Sequence, residues 1–135
     1  MKKLLIIVLI LVAGAGSYGY YLYTKPRSGA ADMKTAYITD AKSLLAEFST
    51  DENSANAKYL GKAIEVSGTI RSIETDDRGT MNVSIETNEM GAVNCQFEKK
   101  DQMPELAAGK SINVKGVCSG YLLDVVLVDC VIENK

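Results

Sequence analysis

The longest regular pattern in this chain is the run Lys62–Glu74, in which apolar and polar residues alternate. Alternate residues from Ile64 to Ile70 would share one face of a strand, with polar side chains on the other face. Ile73 breaks this alternation by one position, which predicts a bulge or sharp bend, and Gly68 leaves room for close approach of another segment. This pattern is typical of a long, bent strand shared by two halves of a small barrel.

Four more stretches show the same alternation and are separated by turn-forming residues. They are Met81–Glu86, Val93–Glu98, Ile112–Cys118 and Tyr121–Glu133. The last stretch follows a predicted turn at Ser119-Gly120 and is too long for one phase, so a second bulge is expected near Val128–Asp129. The segment Lys99–Ala108 is predicted to form a short helix or helical turn between the third and fourth strands.

Five strands with bends in the first and last predict a mainly β fold, a five-stranded Greek-key barrel of the OB-fold type. A β-sandwich, the alternative, would usually need about seven strands. An amphipathic helical arm is expected before the barrel, with Thr39 as its N-cap. One apolar stripe of this arm has helical spacing: Ala41, Leu44, Leu45 and Phe48. A second short helix is predicted over Asn53–Leu60, and the arm is expected to cover one end of the barrel.

The N-terminus carries an uncharged, apolar run that follows Lys2 and Lys3. Leu4–Tyr23 would form a helix about 30 Å long, enough to span a membrane. Four tyrosines at its far end suit the membrane interface, so they favour an uncleaved anchor. The lysines favour an N-inside orientation, with the following domain on the periplasmic or extracellular side.

A cleaved signal peptide is the alternative interpretation of this segment, with Ala13-Gly14-Ala15 as the cleavage site. The domain would then be secreted or periplasmic. In either case the predicted organisation is an anchor or signal at 1–25, a linker at 26–38, and an OB-fold domain with N-terminal helices at 39–135. No cysteine precedes Cys95, so a lipid-modified N-terminal cysteine is not expected.

Composition argues against several classes of function. The chain has no histidine, which removes the commonest general base and metal ligand. We therefore expect no catalytic site, no cofactor and no metal site. The whole chain has 15 basic and 17 acidic residues, and without Lys2, Lys3 and Lys25 the balance is 12 to 17, or −5. Because phosphate contacts supply most of the affinity of nucleic-acid binders, this charge argues against a nucleic-acid partner.

The three cysteines, Cys95, Cys118 and Cys130, lie far apart and form no CxxC motif. An exported domain meets an oxidising compartment, so a disulfide is expected, and Cys118–Cys130 is the predicted pair. The other two pairings, and three buried free thiols, stay open because connectivity cannot be deduced from sequence alone.

Several segments together resemble the tRNA_anti-like family of bacterial OB-fold proteins. The resemblance covers about Ala41–Glu133. It rests on the segments Lys58-Tyr59-Leu60-Gly61-Lys62, Ile64–Ile70, Val93–Phe97, Gly109–Tyr121 and Asp124–Ile132. Members are mostly small exported or lipid-anchored proteins, so the resemblance implies the fold and an envelope location. It implies little about the ligand, because fold similarity does not transfer function.

These observations predict a membrane-anchored, exported OB-fold module that binds a protein or an envelope polymer and has no catalytic activity. A structural or accessory subunit of a cell-envelope complex is the alternative. Binding of single-stranded nucleic acid or an oligosaccharide is disfavoured, since few exposed aromatic side chains are expected to be available for stacking.

Overall fold

Six strands and three helices form the part of the chain that the structure, a computed structural model, describes: residues 1–24, 29–98 and 105–133. In chain order they are α1 (Lys2–Thr24), β1 (Tyr37–Asp40), α2 (Ala41–Thr50), α3 (Glu52–Tyr59), β2 (Ala63–Thr75), β3 (Met81–Glu86), β4 (Ala92–Phe97), β5 (Ser111–Tyr121) and β6 (Val125–Ile132). The five predicted strands correspond to β2–β6, which confirms the mainly β prediction. The short strand β1 was not anticipated.

Strand β2 closes the barrel by pairing with different neighbours along its length. Its first half, Ala63–Thr69, pairs antiparallel with β5, and its second half, from Ile70 to Thr75, pairs with β3. β3 pairs with β4, β4 runs parallel to β6, and β6 pairs with β5. This is the predicted Greek-key OB-fold barrel. β1 adds a parallel strand beside the first half of β2.

Both predicted bulges are present. In β2 the register with β3 shifts between Ile70 and Ser72, so Arg71 is the extra residue. In β6 the register with β5 shifts around Asp129, whose φ is 51°. Each bulge inserts one extra residue into its strand, so the side chains after it point to the face opposite to the one that regular alternation would give. This is why the alternation of apolar and polar residues in the sequence changes phase at these two places.

The predicted turn at Ser119-Gly120 was wrong. β5 continues to Tyr121, which pairs with Val125, and the turn is formed by residues 122–124. Ser119 instead lies in a third register shift, between Cys118 and Gly120. The two strands therefore stay paired through the residues that looked like a turn: Gly120 pairs with Val126, and Ser119 is the extra residue of the bulge.

Gly68 lies where β2 bends and where two other elements pack against it. A Cβ at this position would overlap Cγ2 of Ile85 on β3 and would lie 3.4 Å from Cβ of Ala41 on α2. The absence of a side chain therefore lets the sheet fold over and lets α2 approach it.

The helical arm covers one end of the barrel, as predicted. The apolar stripe of α2 is fully buried: Ala41, Leu44, Leu45 and Phe48 are each at most 1% exposed. The N-cap of α2 is Asp40 and not the predicted Thr39, because the Asp40 carboxylate accepts from both the backbone N–H and the hydroxyl of Ser43. Asp51 caps α3 in the same way through Ser54.

A polar contact ties the two helices of the arm together. The Glu47 carboxylate on α2 accepts hydrogen bonds from Lys58 Nζ at 2.9 Å and from the Tyr59 hydroxyl at 2.8 Å, both on α3. The hydrogen bond from Lys58, and then that from Tyr59, holds the pKa of Glu47 below its usual value. The contact therefore favours the ionised carboxylate.

The segment 29–36, which we call the strap, crosses the outer face of the barrel. The N–H of Ala30 donates to the carbonyl of Asp129 on β6, and the N–H of Ala36 donates to the carbonyl of Ala63 on β2. Between these points lies β5, whose Val117 pairs with both neighbouring strands. Ala30 is fully buried. Residues 26–28 of the expected linker lie outside the described residues.

Helices were also predicted at the N-terminus and at 99–108. Helix α1 has 23 residues, and an 18-residue stretch within it has a mean hydropathy of 1.9, so the helix is long and apolar enough to cross a membrane. Of the helix expected at 99–108, residues 99–104 lie outside the described residues, and residues 105–108 are not helical.

Replacement of Gly68 by alanine tests the bend in β2. We expect Gly68→Ala to lower the free energy of unfolding by about 1–3 kcal/mol, because the stiff, branched Ile85 side chain must move. Chemical denaturation of the full chain in detergent, followed by circular dichroism, measures this. Gly29→Ala is the matched control, since its Cβ would meet only an ordinary contact at 3.7 Å. Equal stability of the two variants would contradict the packing argument.

The Glu47 contact predicts a specific acid sensitivity. A carboxyl group with a lowered folded pKa stabilises the protein above its unfolded pKa, about 4.3, and this stabilisation is lost as the pH falls through the folded value. Glu47→Gln should therefore lower the thermal midpoint slightly at pH 7, and the difference from wild type should shrink towards pH 3. Asp77→Asn is the control, because Asp77 is an exposed turn residue. A constant difference between pH 7 and pH 3 would refute the assignment.

Candidate binding surface at the barrel tips

All three cysteines lie in the core and carry free thiols. Burial raises the pKa of the Cys130 thiol, and Cys95 raises it further. Burial also raises the pKa of Cys118. The predicted Cys118–Cys130 disulfide stays a prediction.

The tyrosines that could have stacked on bases are engaged within the domain. Tyr59 is 1% exposed. Tyr37 packs edge-on against it, with ring centroids 5.2 Å apart. Tyr121 stacks on Phe48, with centroids 5.4 Å apart and planes at 26°. These rings stabilise the contact between the arm and the barrel.

The outer face of β2, β3 and β4 carries small polar side chains, which we call the polar face. The registers align its members in two rows across the strands. They are Ser72, Ser84 and Asn94 in one row, and Glu74, Asn82 and Gln96 in the other. The Ser84 hydroxyl donates to Asn94 Oδ1 at 2.6 Å. These two rows contain one carboxylate and neither a basic nor an aromatic side chain, and the exposed Arg71 of the bulge lies beside Ser72.

Beside the polar face, two neighbouring turns expose large apolar side chains. Met90 lies in the β3–β4 turn and is 104% exposed; Leu122 and Leu123 lie in the β5–β6 turn and are 88% and 79% exposed. The two turns touch, because a Cβ on Gly91 would overlap the carbonyl oxygen of Leu123. We call Met90, Leu122 and Leu123 the tip surface.

Asp124 holds the two turns together. Its Oδ1 accepts from the backbone N–H of Ala92 at 2.8 Å, and its Oδ2 accepts from Asn94 Nδ2 at 2.9 Å. Its carbonyl accepts from the N–H of Leu122 at 3.1 Å. One side chain therefore fixes the β5–β6 turn against the start of β4 and connects the tip surface to the polar face.

Both turns contain a residue in the left-handed region of the backbone. Leu123 has a φ of 85° and Asn88 has a φ of 62°. Asparagine tolerates this conformation, but leucine does so at a cost. The Asp124 hydrogen bonds therefore hold Leu123 in a strained conformation that keeps its side chain in solvent.

A groove of about 340 Å³ lies next to the β3–β4 turn, at the start of α2. Its lining includes Asp40, Lys42, Glu86 and Asn88, with Ser67 and Thr69 from β2. Hydrogen bonds from the backbone and side chain of Ser43 hold the pKa of Asp40 below its usual value. In the part of the chain that the structure describes, no three His, Cys, Asp or Glu side chains converge as metal ligands would.

Sequence reasoning missed the tip surface because Leu122 and Leu123 were counted as strand residues. One signal was available: two consecutive leucines cannot both face the core of a strand. The aspartate after them is a common turn residue. Met90, between Glu89 and Gly91, gave no comparable signal.

Loss of the Asp124 carboxylate should loosen both turns. In Asp124→Ala the buried N–H of Ala92 loses its acceptor, so we expect a loss of about 1–3 kcal/mol in stability. Amide exchange at Ala92 should accelerate at least about tenfold. Asp77→Ala, in the β2–β3 turn, is the control and should leave exchange at Ala92 unchanged. Unaltered exchange in Asp124→Ala would show that the turns do not depend on this side chain.

Comparison with one solved structure supports the fold. A lipoprotein from Klebsiella pneumoniae proposed to bind nucleic acid superimposes with a TM-score of 0.59 at 18% identity, covering 77% of this chain and 94% of that one. The OBody AM1L10, solved bound to hen egg-white lysozyme, has a TM-score of 0.41 at 22% identity, covering 56% of this chain and 82% of that one. No curated protein matches the chain.

The resemblance inferred from the strand segments is also found over almost the whole sequence. The sequence model of the tRNA_anti-like family matches residues 1–132 and so includes α1, the strap and the barrel. The chain therefore belongs to the tRNA_anti-like family of OB-fold proteins.

Proposed function

We propose that this protein is a non-catalytic binding module, held at a membrane by α1, that docks a partner protein through the tip surface. The exposure of Met90, Leu122 and Leu123 on two clamped turns carries this proposal. Large apolar side chains that protrude together into solvent are typical of interaction sites.

The rigidity of the two turns supports docking and not incidental exposure. Asp124 fixes the β5–β6 turn through three hydrogen bonds. On the other turn, the Thr87 hydroxyl donates to the carbonyl of Gly91. Side chains presented from a fixed backbone lose less entropy on binding, so pre-organised apolar anchors give more affinity for a given area.

The charge around the tip surface favours a protein over a lipid surface. Glu86 and Glu89 flank Met90 and are exposed. Anionic membrane surfaces attract basic segments and would repel these carboxylates. We infer that the partner offers an apolar pocket with basic residues at its rim, which would lie towards Glu86 and the groove beside it.

The polar face argues against nucleic acid for this chain. Binders of single strands combine basic grooves with aromatic side chains on which bases stack. Arg71 at the β2 bulge supplies a basic side chain beside the polar face, but the face has no aromatic side chain, and Tyr37, Tyr59 and Tyr121 pack within the domain. The activity proposed for the Klebsiella lipoprotein is therefore not extended to this chain.

The same face supports a second candidate, an uncharged envelope polymer. Its hydroxyl and amide side chains, such as Ser84, Asn82 and Gln96, can donate to and accept from a neutral polymer. OB-folds bind oligosaccharides through the equivalent strands. Retention on a column of cell-wall polymer, lost in an Asn82→Ala/Gln96→Ala variant, would favour this candidate.

For its location we propose that α1 is retained as an anchor, N-terminus inside, with the barrel on the outer side. The fit of α1 to a bilayer supports this. Mass spectrometry of the membrane-extracted protein tests it. A chain that still contains residues 1–24 agrees with the proposal, whereas a mature start after Ala15 would identify a cleaved signal.

Site-specific photo-crosslinking in intact cells tests the docking surface. A photoreactive amino acid at position 122 should give a discrete protein adduct. The same amino acid at Ile38, which is 69% exposed outside the tip surface, should give none. Met90→Gln should reduce the adduct at position 122 at least about fivefold, and should change stability by no more than about 0.5 kcal/mol because the site is exposed.

Control experiments distinguish a partner protein from a lipid surface. Adducts formed only with lipid, or equal protein labelling from positions 122 and 38, would overturn the proposal. A thermal midpoint of Met90→Gln equal to wild type shows that any loss of crosslinking reflects binding and not unfolding.

A further inference from the structure

The tip surface carries a methionine whose side chain lies wholly in solvent. Met90 is 104% exposed, more than Leu122 and Leu123 beside it. The other methionines that the structure describes after α1 are more protected: Met33 and Met81 are half-buried, and Met81 packs against the core. A soluble oxidant therefore reaches the Met90 thioether more readily than the other two.

The β3–β4 turn holds the Met90 side chain outward. The Thr87 hydroxyl donates to the carbonyl of Gly91 and accepts from the N–H of Glu89 at 3.4 Å. A Cβ on Gly91 would overlap the carbonyl oxygen of Leu123, so the backbone after Met90 has no room to shift towards the neighbouring turn. The thioether therefore stays in solvent and does not fold back against the core.

An exposed thioether reacts with oxygen-transfer oxidants such as hydrogen peroxide. The sulfur lone pair attacks one peroxide oxygen and the O–O bond breaks. A proton then passes to the leaving hydroxide, so the products are the sulfoxide and one molecule of water. The exposed carboxylates of Glu86 and Glu89 flank Met90 but do not repel an uncharged oxidant. The reaction makes an apolar side chain polar and chiral at sulfur.

We propose that Met90 is a reversible oxidation site that switches off docking at the tip surface. The proposal rests on the proposed function, since it concerns the same surface. A sulfoxide oxygen is a hydrogen-bond acceptor, and burial in the apolar pocket of a partner leaves it without a donor, which costs binding free energy. Oxidation of one of the three apolar anchors, Met90, Leu122 and Leu123, therefore weakens the complex.

The exposure of Met90 also makes the modification reversible. In a methionine sulfoxide reductase, the sulfoxide and two thiols give the thioether, a disulfide and water, and a separate reductase acts on each sulfoxide epimer. Such an enzyme reaches Met90 on its surface turn while the barrel stays folded. The side chain of Met81, which packs against the core, does not offer this access.

Peptide mapping of the full chain in isolated membranes tests the site. The membranes are treated with hydrogen peroxide, and the reaction is stopped with free methionine. A protease that cleaves after glutamate places Met90 at the start of the peptide 90–98 and Met81 within 75–86. We expect oxidation of Met90 to be at least about fivefold faster than that of Met81, because susceptibility follows exposure. Equal rates at the two sulfurs would overturn the proposal.

Photo-crosslinking from position 122 in the same membranes tests the effect on docking. Oxidation should reduce the protein adduct at least about fivefold, and incubation with both reductases should restore it. Met90→Leu is the matched control. It keeps an apolar side chain of similar size but cannot form a sulfoxide, so its adduct should persist through the same treatment.

The outcomes distinguish a failure of this proposal from a failure of the proposed function. Absence of the adduct before oxidation would refute docking at the tip surface, and the switch with it. An adduct that survives complete oxidation of Met90 would overturn the switch alone. An equal loss of adduct in Met90→Leu would do the same, because another oxidised group would then be responsible. An adduct that the reductases do not restore would refute reversibility.

Discussion

The barrel depends on the two-sided pairing of β2. This strand pairs with β5 along its first half and with β3 along its second half, so its backbone has to change hydrogen-bonding partners within a few residues. The bulge at Arg71 makes the change of phase, and Gly68 lets β3 and α2 approach the bend. A side chain at Gly68 would separate the sheet from the helix that covers its end.

The bend in β2 also determines how the helical arm contacts the turns that carry the tip surface. Because α2 packs at the bend, Leu45 reaches Gly91, at 3.1 Å from a Cβ built there. The start of β4 is thus fixed from inside by α2 and from outside by Asp124. The β3–β4 and β5–β6 turns are therefore joined, and their apolar side chains form one surface.

Alternation and spacing were sufficient to predict the five strands, both bulges and the apolar stripe of α2. They were not sufficient where long-range contacts decide the local structure. The turn was placed at Ser119-Gly120, because nothing local shows that β5 and β6 stay paired to Tyr121. The tip surface arises only when Asp124 reaches Ala92, and the burial of Cys130 depends on a bulge in β6 that is defined by pairing with β5.

The strap has a consequence for the range over which the domain can act. Since Gly29 and Ala30 already lie against β6, five peptide links connect α1 to the barrel, and these span at most about 19 Å. With α1 retained in a bilayer, the barrel is confined to a shallow layer at the membrane surface. A partner would then be sought by lateral diffusion among other proteins close to the same membrane, and proteins deeper in the surrounding compartment would stay out of reach.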